Sequence, residues 1–173
     1  VDDLAPYPEA DYQNGVSLLT HAFTRDLPEA KTTNYFTAVR HARTLREAGA
    51  ADLLYHNGSH VLETTRCNLF IADRKGALHT AAEGMLPGIT RLHVLEALEG
   101  DTPVEVGPVA MDALWDAPEV FITSTTKGVM PVVRIDDHVV GDGEPGPLTR
   151  HAMERFERHR EAWLTQHATA WRG

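Results

Sequence analysis

Apolar residues recur along this chain at two spacings, in short runs that suit strands and at intervals of three or four that suit helices. Val16 to Phe23, VSLLTHAF, is apolar, partly β-branched and short enough for a buried strand. After the turn-forming Arg25-Asp26-Leu27-Pro28, Thr33 is placed to cap a helix. Its apolar positions run Tyr35, Val39, Ala42, Leu45 and Ala48 before Gly49 stops it. Asp52 to Tyr55 and His60 to Glu63 flank Asn57-Gly58, a two-residue hairpin signal. Cys67 to Ala72 and Ala77 to Thr80 flank the polar turn Asp73-Arg74-Lys75-Gly76 and predict a second hairpin. A helix follows Gly88, with Leu92, Leu95 and Leu98 as its apolar stripe and Gly100 as its stop. Short strands are predicted at Val104 to Val106, Val120 to Thr123 and Met130 to Ile135, with a helical turn at Met111 to Trp115. The last helix, from Leu148 to about His167, carries Met153, Phe156, Trp163 and His167 on one side. Strands and helices mixed in this order predict an α/β (α+β) fold with a mixed, barrel-like sheet and flanking helices.

The remaining composition narrows the function classes. The 173 residues suffice for one substantial core. A formal charge of −9 argues against a nucleic-acid surface. No apolar run approaches the length of a membrane span, and the single Cys67 excludes an internal disulfide and suits a reducing, cytoplasmic setting. Residues 1–14, rich in Pro and acid and without an initiator Met or a signal pattern, read as an interdomain linker leading into a domain over residues 15–173. Ten histidines invite a metal, but no HExxH or CxxC is present, and His56 and His60 straddle a hairpin turn; the spacing predicts no metal site. No GxSxG elbow surrounds a serine, and Cys67 reads as a small core residue.

Four features remain that chemistry can use. Lys31 sits in a strand-to-helix connection, where rigid flanks present functional groups, although most lysines are surface charges. Glu63 is a lone acid in an uncharged run. The first amides of the helix after Gly88, at Ile89 and Thr90, have no partner within the helix and carry its positive dipole end, a seat for an anion. On the plainer reading Thr90 is an N-cap and Pro87-Gly88 a turn. The hydroxyl run Ser124-Thr125-Thr126 before Gly128 is a second anion-holding candidate, or an ordinary turn. An amine, an enclosed acid and two phosphate-holding devices are together the parts needed to bind pyridoxal phosphate.

These residues lie in five blocks: KTTNYF from Lys31, ETTRCNLF from Glu63, LPGITR from Leu86, VFITSTTKGVMP from Val120 and GDGEPGPLT from Gly141. In their order and spacing the chain resembles the class IV aminotransferases of pyridoxal-phosphate fold type IV. That family includes branched-chain aminotransferases, D-amino-acid transaminases and aminodeoxychorismate lyase. The resemblance implies pyridoxal 5′-phosphate as cofactor, with Lys31 as Schiff-base partner and proton carrier and Glu63 on the pyridine nitrogen. It places Leu86 on the ring face and gives Gly88, Ile89, Thr90, Ser124 and Thr125 to the phosphate. Arg66 and Thr126 are candidates for substrate binding. On a regular strand Arg66 points away from Glu63 and forms a surface pair; a bulge at Thr64-Thr65 turns it inward as a carboxylate anchor. Asn34 matches the D-amino-acid branch, and Thr64 stands where many members have Gly. The resemblance further implies amino-acid and 2-oxo-acid substrates, a homodimer, no nucleic-acid or membrane partner, and a small N-terminal domain that this chain lacks. A lyase on the aminodeoxychorismate pattern, or a domain that binds cofactor or a partner without turnover, is the alternative.

Overall fold

The computed structural model describes residues 6–168. A short helix, α1 (Glu9–Asn14), leads into β1 (Val16–Ala22), and a long connection then reaches α2 (Phe36–Ala48). Next come β2 (Asp52–His56), β3 (His60–Thr64), β4 (Asn68–Ala72), β5 (Leu78–Thr80) and α3 (Ile89–Leu98). The chain continues through β6 (Val104–Val106), β7 (Val109–Ala110), α4 (Met111–Asp116), β8 (Glu119–Ser124), β9 (Gly128–Ile135) and β10 (His138–Val139), and ends in α5 (Pro147–His167).

The strands form one mixed sheet. Its path β4-β8-β9-β1-β2-β3 returns to β4 through the β3–β4 pairing, so six strands close a barrel. β1 runs parallel to both β2 and β9, while β2–β3, β4–β8 and β8–β9 are antiparallel. Alternation along β4 and β8 sorts the core into two layers. Leu69, Ile71, Val120 and Ile122 join one cluster with Leu18, Leu54, Met130 and Ile135. Phe70 and Phe121 occupy the other, their rings stacked at 4.8 Å under Val94 and Leu98 of α3 and Ala152 and Phe156 of α5. Closure leaves the barrel without a raw edge, and the two helices cover one flank.

Several sequence expectations shift in register. The predicted cap Thr33 is not used: α2 starts at Phe36 with Tyr35 at its N-cap and no side-chain cap, while Asn34 Oδ1 accepts the Phe36 amide at 3.3 Å. The α2 stripe is not a core face, since no residue of the helix is buried and Val39 is 71% exposed; only Leu45 packs, against Leu53, Tyr55 and Leu62. The α3 stripe holds at Leu98, which is buried, and at Leu95, which packs against the core, but not at Leu92, which is exposed; Thr90, Arg91, Val94 and Ala97 are buried as well. In α5 the buried positions are Thr149, Ala152 and Phe156, with Met153 packed against the same core; Trp163, two turns beyond Phe156, is 36% exposed and meets the His93 ring of α3. The β2–β3 loop has three residues rather than two, because Asn57 Oδ1 accepts the amides of both Ser59 and His60. Cys67 is buried but just ahead of β4. The stretch read as linker contains α1, which the barrel holds through Tyr12; its hydroxyl donates to Lys127 O at 3.0 Å.

Asp136 ties the end of β9 to β1. Its carboxylate accepts from the Thr20 amide at 2.8 Å and from the Thr20 hydroxyl at 2.7 Å, with its own φ at 53°. Two charge-assisted bonds in a part-buried position are worth about 2 kcal/mol net. Asp136→Ala is therefore expected to lower the free energy of urea unfolding by about that amount, and Asp136→Asn by less than half of it.

Candidate active site

The cavity that matters opens at one rim of the barrel, has a volume of about 230 Å³ and collects residues far apart in sequence. The β1–α2 connection brings Arg25, Lys31 and Tyr35; β3 and its corner bring Glu63 and Arg66; the approach to α3 brings Leu86, Gly88, Ile89 and Thr90. The end of β8 brings Thr123, Ser124 and Thr125. All the sequence-predicted site residues thus meet here except Thr126, which lines a separate depression with Tyr12, Lys127 and Phe156. The reason is local: Thr126 sits in the tight β8–β9 turn, where Lys127 N donates to Ser124 O, and Thr125 is the last residue of that run to reach the cavity.

Glu63 is 3% exposed, and its Oε2 accepts the Leu86 amide at 3.1 Å. Arg25 Nε stands 3.2 Å from Oε1, out of line for a hydrogen bond, while its Nη2 donates to Thr65 O at 2.6 Å. Burial pushes the Glu63 carboxyl up to about 7, opposed by Arg25, the Leu86 amide and Lys31. Arg25 is a cavity-lining residue absent from the sequence-predicted site. It reads as part of a turn, and only the fold carries it to Glu63.

The β3–β4 corner is built on Asp52, buried at the start of β2. Thr64 Oγ1 donates to Asp52 Oδ2 at 2.9 Å and Thr65 Oγ1 donates to Oδ1 of the same carboxylate. Thr64 Oγ1 in turn accepts the amides of Arg66, at 3.3 Å, and Cys67, at 2.9 Å. That network gives the buried Thr64 hydroxyl its partners. It also ends the strand at Thr64, so Arg66 follows a bend rather than strand alternation. Its guanidinium lies 5.5 Å from the centre of the Tyr35 ring and lines the cavity.

The opposite wall is the entry to α3. Gly88 is its N-cap, with no side-chain cap, and Thr90 is a buried helical residue rather than the cap considered from sequence. The first-turn amides therefore carry no side-chain acceptor. Asn68 Nδ2 donates to Leu86 O at 2.7 Å, and a Cβ at position 88 would overlap Asn68 Oδ1. Glycine thus fits the close approach of Asn68, the asparagine of the ETTRCNLF block. Arg91 anchors the same helix from beneath, donating to Thr80 Oγ1 at 3.1 Å and Ala81 O at 2.8 Å.

Among the described residues, three buried side-chain polar atoms lack a hydrogen-bond partner: Glu63 Oε1, Thr123 Oγ1 and Ser124 Oγ. All three belong to residues lining this one cavity. Ser124 Oγ has only the weakly polar Cys67 thiol beside it. Buried polar atoms are rarely left unpaired in a folded chain, so the concentration of unused donors and acceptors in one place marks a polar ligand site. An acid at one end, hydroxyls and helix amides at the other and an amine at the mouth fit a flat ligand that has a protonated ring nitrogen and a phosphate, as pyridoxal phosphate does.

The family model for amino-transferase class IV matches residues 1–135, and the chain belongs to that family. D-alanine aminotransferase of Bacillus licheniformis is 37% identical over 153 residues, covering 87% of this chain and 54% of its own length. The T.th. branched-chain amino acid aminotransferase, solved with pyridoxamine 5′-phosphate, superposes with a TM-score of 0.79 at 29% identity, over 89% of this chain and 53% of that one. A Legionella pneumophila protein assigned as a 4-amino-4-deoxychorismate lyase superposes with a TM-score of 0.77 at 26% identity, over 91% and 58%. The chain spans about half the length of the relatives it matches.

Two outcomes check this geometry. The Glu63 carboxyl rises on folding from the ordinary 4.5 to about 7, so the stability it contributes is fully present below 4.5 and is lost as pH climbs through 7. The rise corresponds to about 3 kcal/mol. Urea unfolding of the cofactor-free chain should show that loss between pH 4.5 and 7.5, and Glu63→Gln should flatten it. Separately, Gly88→Ala must displace Asn68 from Leu86 O, and is expected to lower stability by about 1–3 kcal/mol in the same assay.

Proposed function

We propose that this chain is the cofactor-binding part of a pyridoxal-phosphate-dependent aminotransferase that passes an amino group between an amino acid, of the branched-chain or D series, and a 2-oxo acid. The observation that carries the reading is the gathering of every unpartnered buried polar side-chain atom among the described residues into the cavity that Lys31 also lines. Bound there, pyridoxal phosphate supplies an aldehyde that amines condense with and a ring that accepts the electron pair left at a substrate Cα.

The chain's own residues would do the rest. Glu63, steadied by Arg25 and the Leu86 amide, holds a proton on the pyridine nitrogen. The Ile89 and Thr90 amides, with the hydroxyls of Ser124 and Thr125, hold the phosphate; Leu86 lies against the ring. Lys31 Nζ, exposed at the mouth, is the nucleophile toward the aldehyde and the base that moves a proton to and from the substrate Cα. Arg66, exposed beside the corner that Asp52 holds and lining the cavity, is the substrate carboxylate anchor. Thr126 has no part in this arrangement.

Large apolar side chains stand exposed on both segments that frame the mouth, Leu27 and Phe36 on the one with Lys31 and Ile89 and Leu92 on the other. They support a partner over the site, and a second copy of the chain is our reading. No described helix is long and apolar enough to cross a membrane. With one buried free thiol, the chain suits a cytoplasmic setting.

The likeness to the Legionella pneumophila protein keeps lyase chemistry as a second reading. Product analysis separates the two: pyruvate and an aminobenzoate formed from aminodeoxychorismate, without a 2-oxo-acid acceptor, would favour the lyase. For the main reading, mixing the chain with pyridoxal phosphate is expected to give a visible absorption band that Lys31→Ala abolishes. The same substitution is expected to lower transamination by at least about a thousandfold. No band in the wild type, or an unchanged band in the variant, would remove Lys31 from its role.

A further inference from the structure

The one cluster of three metal-ligating side chains among the described residues lies away from the cavity, in the seam between α3 and α5. His93 and Glu96 are one turn apart on α3, and His159 comes from α5, 66 positions beyond His93. His93 Nδ1 is 3.0 Å from Glu96 Oε2 and 3.1 Å from His159 Nε2, and His159 Nε2 is 3.3 Å from the same Glu96 oxygen. The three atoms therefore form a nearly equilateral triangle.

That triangle has the dimensions of one face of a coordination shell. Bonds of about 2.0–2.2 Å to nitrogen and oxygen separate neighbouring ligand atoms by about 3.0–3.4 Å in tetrahedral or octahedral geometry. An ion placed about 1 Å off the plane of the three atoms would reach all of them at such bond lengths. Two ring nitrogens 3.1 Å apart converge on one carboxylate oxygen. Each histidine keeps its other ring nitrogen free to carry the proton that a neutral, metal-binding imidazole needs. The side chains are about a quarter to a half exposed, so water can complete the shell, and the Trp163 ring meets His93 edge-on at 5.8 Å.

The geometry points to a binding site for one divalent transition ion of the zinc type, held by His93 Nδ1, Glu96 Oε2 and His159 Nε2 with water in the open position. Two histidines and one carboxylate suit zinc, and also nickel or copper, better than magnesium or calcium, which favour all-oxygen shells. The ion cross-links α3 to α5. Because the first turn of α3 is a wall of the cavity, the cross-link would brace that wall without touching anything bound in it. No other histidine contact among the described residues offers this. His79 meets Asp73 and Glu105 through opposite ring nitrogens, which cannot close on one ion, and His151 pairs with Asp101 in a group holding a single histidine.

The test is calorimetric titration of Zn²⁺ into the metal-free, cofactor-free chain, repeated on His93→Ala, His159→Ala, Glu96→Gln and, as control, His79→Ala. One ion per chain is expected, with a dissociation constant of about 10 µM or tighter, weakened at least about a hundredfold by either His93→Ala or His159→Ala. The control should match the wild type. Zn²⁺ should also raise the thermal midpoint of the wild type by about 3–5 °C and leave that of His159→Ala unchanged. Wild-type binding weaker than about 100 µM, or binding that survives both histidine substitutions, would overturn the site. Neither result bears on the proposed enzyme activity, which none of these four residues serves.

Discussion

A carboxylate shut away from water ionises only where positive charge or hydrogen-bond donors meet it, and around Glu63 that requirement is half met. The Leu86 amide and the Arg25 guanidinium approach it, but one oxygen is left without an aligned donor and the carboxyl is pushed up to about 7. A protonated ring nitrogen placed against that oxygen would complete the pairing and draw the carboxyl down into its ionised form. Acid and cofactor would each hold the other in the charge state that withdraws electrons from the substrate, so the energetic gap left in the folded chain matches the ligand's requirement.

The surrounding structure exists to hold that acid still. Asp52, itself buried, fastens Thr64 and Thr65 and so fixes the corner just after Glu63, and Arg25 clamps the same corner through Thr65 O. Across the cavity, Asn68 and Gly88 lock the Leu86 turn that supplies the amide to Glu63, while Arg91 pins α3 to β5 from below. None of these groups needs to contact a ligand. They keep donors and acceptors aimed at a common point, which is what preorganisation requires.

Much of this is legible from the chain alone. Local turn chemistry and short apolar runs place most strands, and the blocks around Lys31, Glu63, Leu86 and Ser124 mark the walls of the cavity, because each block is a contiguous stretch whose backbone itself contributes. Interactions that depend on tertiary closure are not legible. Arg25 looks like a turn residue, Asp52 like the start of an ordinary strand, and the two short elements α1 and β7 have too few residues for periodicity to register. Spacing misleads on α2, none of whose residues is buried, and at the first turn of α3, where Thr90 and Arg91 are buried and Leu92 is exposed although Leu95 and Leu98 face the core as the stripe suggests. The His93–Glu96–His159 triangle is invisible to spacing for the same reason, since its third member arrives from another helix.

The pairing of Glu63 with a ring nitrogen can be observed directly by nitrogen NMR of pyridoxal phosphate isotopically labelled at that nitrogen and bound to the protein. The wild type should show the shift of a protonated pyridine across neutral pH, and Glu63→Gln should show that of an unprotonated one. Identical spectra from the two proteins would mean that Glu63 does not govern the ring, and the central claim would fail.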